Sequence, residues 1–188
     1  MNTHIDLHNT SILVTGASQG IGKAIANYTM SMGARVAVHY NTHRQGAETL
    51  VEQYPATNSK AFKADLSHIS EVIDFFKAVN VEFGQIDVII LNAGVFIPHS
   101  TFEEVDEWFK IWKKTLAINL DAVGILTKLG IDHFREHGGG RFIYMGSRAV
   151  FRGETEEYLA YAASKGGMTS LARSVARSFG KDNIKAFT

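Results

Sequence analysis

Ser11-Ile-Leu-Val-Thr15-Gly16-Ala17-Ser18-Gln19-Gly20-Ile21-Gly22 is the stretch whose reading decides the fold. Its first five residues form a short apolar run that ends at a glycine, the signature of a buried parallel strand rather than an amphipathic one. From Gly20 to Met32 the residues Ile21, Ala24, Ile25, Tyr28, Thr29 and Met32 recur at three- and four-residue spacing, which predicts a helix closed by Gly33. Ala34 to Tyr40 reads as a second strand, and the three pieces make a βαβ unit of ordinary length. The glycines between strand and helix let the backbone turn tightly. They also let it approach a pyrophosphate, whose charge the first amides and dipole of the helix would meet. The alternative is an ordinary glycine-rich strand–helix turn, and the position between strand and helix favours cofactor binding.

The alternation continues outward from this unit. Gln45 to Tyr54 reads as a helix, Lys60 to Lys63 as a strand, Ile69 to Phe83 as a helix and Asp87 to Leu91 as a strongly apolar strand. A long helix is expected over 103–129 with a break near Asn119, then a strand from Arg141 to Met145, a helix from Glu157 to Phe179, and a last strand beginning at Ile184. Strands alternating with crossover helices predict an α/β fold, a Rossmann-type doubly wound parallel sheet whose ligand crevice lies at the carboxyl ends of the strands. No repeat, low-complexity tract or linker divides residues 1–188, so a single domain is expected.

Composition narrows the function. The 19 basic and 19 acidic residues cancel and are interspersed, which leaves no basic footprint for nucleic acid and no polybasic membrane surface. A small-molecule partner is the expectation. The chain has no cysteine, which excludes disulfides, thiolate metal sites and a cysteine nucleophile, and its histidines form no ligand cluster. Met1 to Thr10 is polar and unlike a signal peptide, and no later run is long enough to span a bilayer, so a cytoplasmic enzyme or binding protein is expected.

The loops at the strand ends carry the chemistry. After the second strand, a carboxylate would accept from an adenosine ribose 2′-hydroxyl and repel a 2′-phosphate. This chain has Tyr40-Asn41-Thr42-His43-Arg44 instead, and the acid-free loop with Arg44 favours a phosphorylated ribose. The third strand runs into Asp65-Leu66 and the fourth into Asn92-Ala93-Gly94, either of which can be no more than an Asx turn. Gly146-Ser147 follows the fifth strand. Ser147 can be a turn former, a helix cap or a hydroxyl presented to the crevice, and with no Gly-x-Ser-x-Gly elbow around it, it reads as a hydrogen-bond donor. In Tyr161-Ala-Ala-Ser-Lys165 a helix would set Tyr161 and Lys165 one turn apart on one face. A phenol ordinarily titrates near ~10, and moving one to neutrality takes about 4 kcal/mol of preference for the anion, which a nearby cation can supply.

Taken together, Thr15-Gly-x-x-x-Gly-Ile-Gly22, Asp65, Asn92-Ala-Gly94, Asn119 within Ile-Asn-Leu, Ser147 and Tyr161-x-x-x-Lys165 resemble, in order and spacing, the short-chain dehydrogenases/reductases. The resemblance runs from residue 11 to residue 188. It is to the single-domain branch that includes 3-oxoacyl-[acyl-carrier-protein] reductase-like enzymes. It implies that Tyr161 is the general acid or base and that Ser147 hydrogen-bonds the reacting oxygen. Lys165 would bind the nicotinamide ribose and stabilise ionised Tyr161, and Asn119 would hold a water linking Lys165 to solvent. Gly16, Ser18, Gln19, Gly20, Ile21, Gly22, Asn41, Arg44, Asp65, Leu66, Asn92, Ala93, Gly94, Tyr161 and Lys165 would line the cofactor path. The cofactor implied is NADP(H), with NAD possible, and the substrate a ketone or 3-oxoacyl compound. Alternatives are a non-catalytic dinucleotide-binding or redox-sensing scaffold and an NAD-linked alcohol or sugar dehydrogenase. The family also implies a homodimer or homotetramer built through helices 103–129 and 157–179. Its members continue past residue 188 into a lid and a further strand, so the resemblance implies that this chain is part of a longer one. Tyr158 reads as packing or substrate rim, Trp108 and Trp112 as helix packing or subunit interface, and Pro98 and His99 as either a plain surface loop or a loop within reach of substrate.

Overall fold

A computed structural model describes residues 6–188; residues 1–5, the start of the polar amino-terminal stretch, lie outside the described residues. Strands β1 (Ser11–Val14), β2 (Arg35–Tyr40), β3 (Lys60–Lys63), β4 (Val88–Leu91), β5 (Gly140–Tyr144) and β6 (Ile184–Phe187) form one sheet in the order β3-β2-β1-β4-β5-β6. Every pairing is parallel. The chain winds outward from β1 to β3, then crosses back to β4 on the other side of β1. The loops after β1 and β4 therefore diverge, and a crevice opens between them at the carboxyl ends of the strands.

Helices α1 (Gly20–Ser31), α2 (Arg44–Glu52), α3 (Ile69–Phe83), α4 (Val105–Leu116), α5 (Ala122–Glu136), α6 (Ala149–Arg152) and α7 (Leu159–Ser178) cover the two faces. Alternate strand residues point to opposite faces, which splits the core in two. Ile12, Val14, Val36 and Val38 pack with Ala26, Met30 and Leu50 of α1 and α2. Leu13, Ala37, Ile89 and Phe142 pack with Phe75 and Phe76 of α3, Leu126 of α5 and Met168 of α7. Each fully buried leucine or valine of these strands is worth about 1.5–3 kcal/mol of transfer free energy.

The strands and most helices fall within a residue or two of the sequence expectation, and three differences have physical causes. In α1 the buried residues are Gly22, Ala26 and Met30, while Ile21 and Tyr28 point outward, 65% and 54% exposed. A Cβ at Gly22 would lie 2.3 Å from the Gly16 carbonyl oxygen, so the helix meets the sheet through a seam that takes small residues only. The long helix breaks at Asn119 as a π turn over Ala117–Asp121, but then runs on to Glu136 rather than ending near Leu129. Gly130 lets α5 press onto the sheet: a Cβ there would meet Ile89 Cδ1 at 2.6 Å. Finally, the short helix α6 follows β5 where only a loop was expected. No helix among the described residues is long and apolar enough to cross a membrane.

Candidate active site

The glycine loop is held from three sides before any ligand is considered. The Thr15 hydroxyl accepts from the amides of Asn92 (2.9 Å) and Ala93 (3.0 Å). Asn92 Nδ2 in turn donates to the carbonyls of Thr15 (2.9 Å) and Gly16 (3.1 Å), tying the ends of β1 and β4 together. Gly16 sits at φ +64, in the left-handed region that favours glycine. Its amide donates to His39 Nδ1 at 2.9 Å, and the other ring nitrogen, Nε2, donates to the Ala64 carbonyl at 3.1 Å. The two partners fix the neutral Nε2–H tautomer. Burial, with His39 only 2% exposed, pushes its pKa down to about 4. Sequence reasoning missed His39, because a histidine inside an apolar strand reads as filler and its partners lie 23 and 25 residues away.

A cleft of about 390 Å³ opens above this loop. Of the expected cofactor residues, Gly16, Ser18, Gln19, Gly20, Ile21, Gly22, Asn41, Asp65, Leu66, Asn92, Ala93 and Gly94 line it, joined by His39, Thr42, His43, Val95 and Ile118. The amino terminus of α1 faces the cleft with no acidic residue in its first turn, and a Cβ at Gly20 would meet nothing within 4 Å. Amide donors, a positive helix end and open space fit a pyrophosphate. Asp65 lies on the wall, its Oδ1 accepting from the Ser67 amide (2.9 Å) and hydroxyl (2.7 Å). Those hydrogen bonds hold its carboxyl below the usual carboxylate range. It is thus both the Asx turn and the cleft residue that the sequence left as alternatives.

Arg44 departs from expectation. Its side chain is 71% exposed and its Nε donates to Glu48 Oε1 at 2.7 Å, one helical turn along, so the guanidinium lies on the outer face of α2 and not in the cleft. The cleft wall there is Asn41, Thr42 and His43, with the His43 ring 3.2 Å from the Ser18 carbonyl.

The second group of residues gathers beyond β4 and β5. Asn119, fully buried in the π turn, accepts from the Val95 amide (2.8 Å) and donates to the Val95 carbonyl (2.9 Å) and Ser164 Oγ (3.2 Å). Both amide hydrogens are committed to protein, and the Asn119 side chain clamps the strand-end loop to α7. Lys165, 5% exposed, donates to the Met145 carbonyl at 2.8 Å and lies 5.9 Å from the centre of the Tyr161 ring. Burial lowers its pKa from the ordinary lysine value. A Cβ on Gly94 would come within 3.4 Å of Asn119 Oδ1 and 3.7 Å of Lys165 Nζ, so the cleft leads directly to these two side chains. Ser147 Oγ accepts from the Ala149 amide at 3.1 Å, a turn two residues before α6 that leaves its own proton to donate. Ser147 is therefore a turn former, and the N-cap of α6 is Arg148.

The other residues weighed in the sequence sort as follows. Tyr158 stacks on Phe96, and Phe96 meets Tyr161 edge-on. His99 is 1% exposed and packs against Trp108, which stacks on Trp112, so it sits behind the crevice wall rather than on it.

Sheet order and crevice define a doubly wound α/β protein of the Rossmann type. More narrowly, the chain belongs to the short chain dehydrogenase family, whose model matches residues 10–188. It is 32% identical over 176 residues to a hydroxynaphthalene reductase-like protein Arp2 of Metarhizium guizhouense, covering 92% of this chain and 63% of that one. It is 33% identical over 178 residues to the D-threitol dehydrogenase of Mycolicibacterium smegmatis, covering 94% of this chain and 66% of that one. A crystal structure of a short chain dehydrogenase from Burkholderia cenocepacia in complex with NADP superposes with a TM-score of 0.84 at 29% identity, covering 97% of this chain and 73% of that one. The chain thus spans about 63% of the length of the first curated relatives it matches.

Proposed function

We propose that this chain carries the cofactor cleft and proton-transfer residues of an NADP(H)-dependent oxidoreductase that interconverts a carbonyl compound and a secondary alcohol. The observation that carries the reading is the continuity of the site. An amide-lined cleft suited to a pyrophosphate runs past Gly94 to Lys165, whose ammonium stands 5.9 Å from the Tyr161 ring.

A bound nicotinamide cofactor supplies a hydride to the carbonyl carbon, or takes one from the alcohol. Tyr161 gives its phenolic proton to the carbonyl oxygen in reduction and takes it back in oxidation, so charge on that oxygen is neutralised as it forms. Ser147 donates its free hydroxyl proton to the same oxygen as a hydrogen bond, while its lone pair stays on the Ala149 amide. Lys165, held by the Met145 carbonyl, supplies the positive field beside Tyr161 and reaches the ribose side of the cleft. Asn119 fixes Val95 and Ser164, and so sets the wall between cleft and α7.

The acid-free β2 loop supports NADP(H), with Asn41, Thr42 and His43 facing the 2′-phosphate. A second reading, an NAD-linked alcohol or sugar dehydrogenase, draws on one observation, the engagement of Arg44 with Glu48 away from the cleft. Fluorescence titration of the full chain with NADPH and NADH separates the readings. Tighter NADPH binding is the expected result, and tighter NADH binding refutes the assignment of the β2 loop. Turnover of NADPH with a carbonyl panel tests the enzyme itself, and binding without any turnover would make the chain a dinucleotide-binding scaffold. A homodimer or homotetramer through α4, α5 and α7 accords with the outward-facing Val105 and Phe109 of α4, and a monomer by light scattering would contradict it.

A further inference from the structure

A stack of rings stands beside Tyr161, next to the cleft residue Val95. Phe96, in the loop after β4, lies parallel to Tyr158 with ring centres 3.7 Å apart and planes 5° from coplanar. The same ring meets Tyr161 edge-on, at 4.7 Å and 88°. Phe96 is nevertheless 52% exposed. An aromatic side chain pinned by two others yet half open to solvent is an ordered apolar surface with no partner of its own. It abuts the residue that moves the proton.

The chain around it carries few polar side chains. From Gly94 the sequence reads Gly-Val-Phe-Ile-Pro98, a run with no side-chain donor or acceptor, and His99, the next polar residue, is 1% exposed behind it. A polyol or ketose brings several hydroxyls, and the Val95–Pro98 part of the wall, whose side chains cannot hydrogen-bond them, leaves any that lie against it desolvated and unpaired. A flat apolar ring loses nothing there and gains contact with the Phe96 face or edge.

Resting on the oxidoreductase reading above, we propose that Phe96 and Tyr158 form a specificity wall that selects a planar, ring-bearing ketone, such as an aryl or fused-ring ketone, over an open-chain hydroxylated one. Phe96 orients the substrate ring so that its carbonyl oxygen comes to Tyr161 and Ser147. Tyr158 holds Phe96 in the plane that makes this possible and is a positioning residue.

The test is steady-state reduction of α-tetralone, 2-butanone and D-fructose by the full chain with NADPH, comparing the natural protein with Phe96→Ala, Phe96→Leu and Tyr158→Ala. The proposal expects kcat/KM for α-tetralone to exceed those for the other two ketones. It also expects Phe96→Ala to erode that preference about tenfold, mainly through KM, with Phe96→Leu intermediate. Tyr158→Ala should erode it in the same direction by less. NADPH affinity measured on each variant reports whether the cleft is intact, and Phe96→Leu keeps the loop filled if Phe96→Ala disturbs folding. Preferential turnover of fructose, or a tetralone preference that survives loss of the Phe96 ring with NADPH binding intact, overturns the wall while leaving the reductase reading standing. NADPH binding with turnover of none of the three overturns both.

Discussion

At the end of β1 the cleft floor is a glycine loop and a helix amino terminus, with the side chains of Asn41, Thr42, His43 and Asp65 on its wall, whereas beyond β4 and β5 the candidate groups are side chains alone. In the first region glycines and a helix end form the floor, and Thr15, Asn92 and His39 hold the loop from behind. In the second, the proposed reaction falls to Ser147, Tyr161 and Lys165, and Asn119 braces Val95 and Ser164 beside them. The difference fits two tasks. A diphosphate is a large, invariant anion that backbone amides and a dipole recognise well. Proton transfer needs a particular atom with a particular acidity, which only a side chain supplies.

If the two regions have separate tasks, damage to them should separate in kinetics. The largest expected effect is on the chemistry side: Tyr161→Phe should lower kcat by roughly 10²–10⁴-fold, measured at saturating NADPH. Next comes the binding side. In Gly22→Ala the new methyl would sit 2.3 Å from the Gly16 oxygen and 2.4 Å from Asn92 Nδ2, both parts of the braced loop. Overpacking of this kind costs about 1–3 kcal/mol, so NADPH affinity should fall by up to about 100-fold while the residual bound enzyme keeps most of its kcat.

A third prediction concerns what holds the first region together. His39 has its folded pKa depressed to about 4, below the ordinary 6.5, so the unfolded chain takes up a proton that the native state refuses. The stability this represents is present above pH 6.5 and is lost as pH falls through about 4, to a limit of about 3 kcal/mol. Urea midpoints measured between pH 7 and pH 4 should fall more steeply for the natural protein than for His39→Asn, which keeps an acceptor for the Gly16 amide but cannot titrate. The smallest effect is expected at Arg44. With its guanidinium on Glu48, Arg44→Ala should change NADPH affinity by no more than about threefold, as exposed pairs contribute little. A loss beyond tenfold for NADPH and not for NADH would show that the arginine leaves Glu48 for the 2′-phosphate.

The two regions also differed in how far they could be read from sequence. Strand ends with glycine, Asn or Asp announce themselves locally, so most of the cleft lining is legible in the sequence, whereas the helical spacing of Tyr161 and Lys165 carries weight only beside the other motifs. Arg44 was misplaced because its choice between Glu48 and the cleft depends on a side-chain partner one turn along α2, not on the loop's composition. His39 was invisible because its meaning lies in Gly16 and Ala64, just past the ends of two other strands. Ile21 and Tyr28 obeyed helical periodicity but face outward, since the seam at Gly22 admits no bulk. Phe96 and Tyr158 lie far apart in the chain, and no sequence pattern says that they stack.

The central claim is that recognition and proton transfer are divided between these two regions, and the affinity of Tyr161→Phe for NADPH tests it most directly. Fluorescence titration should return a Kd within about twofold of the natural protein's, even though turnover is lost. A Kd raised tenfold or more, as expected for Gly22→Ala, would contradict the division and make Tyr161 part of the cofactor's binding site first and an acid second.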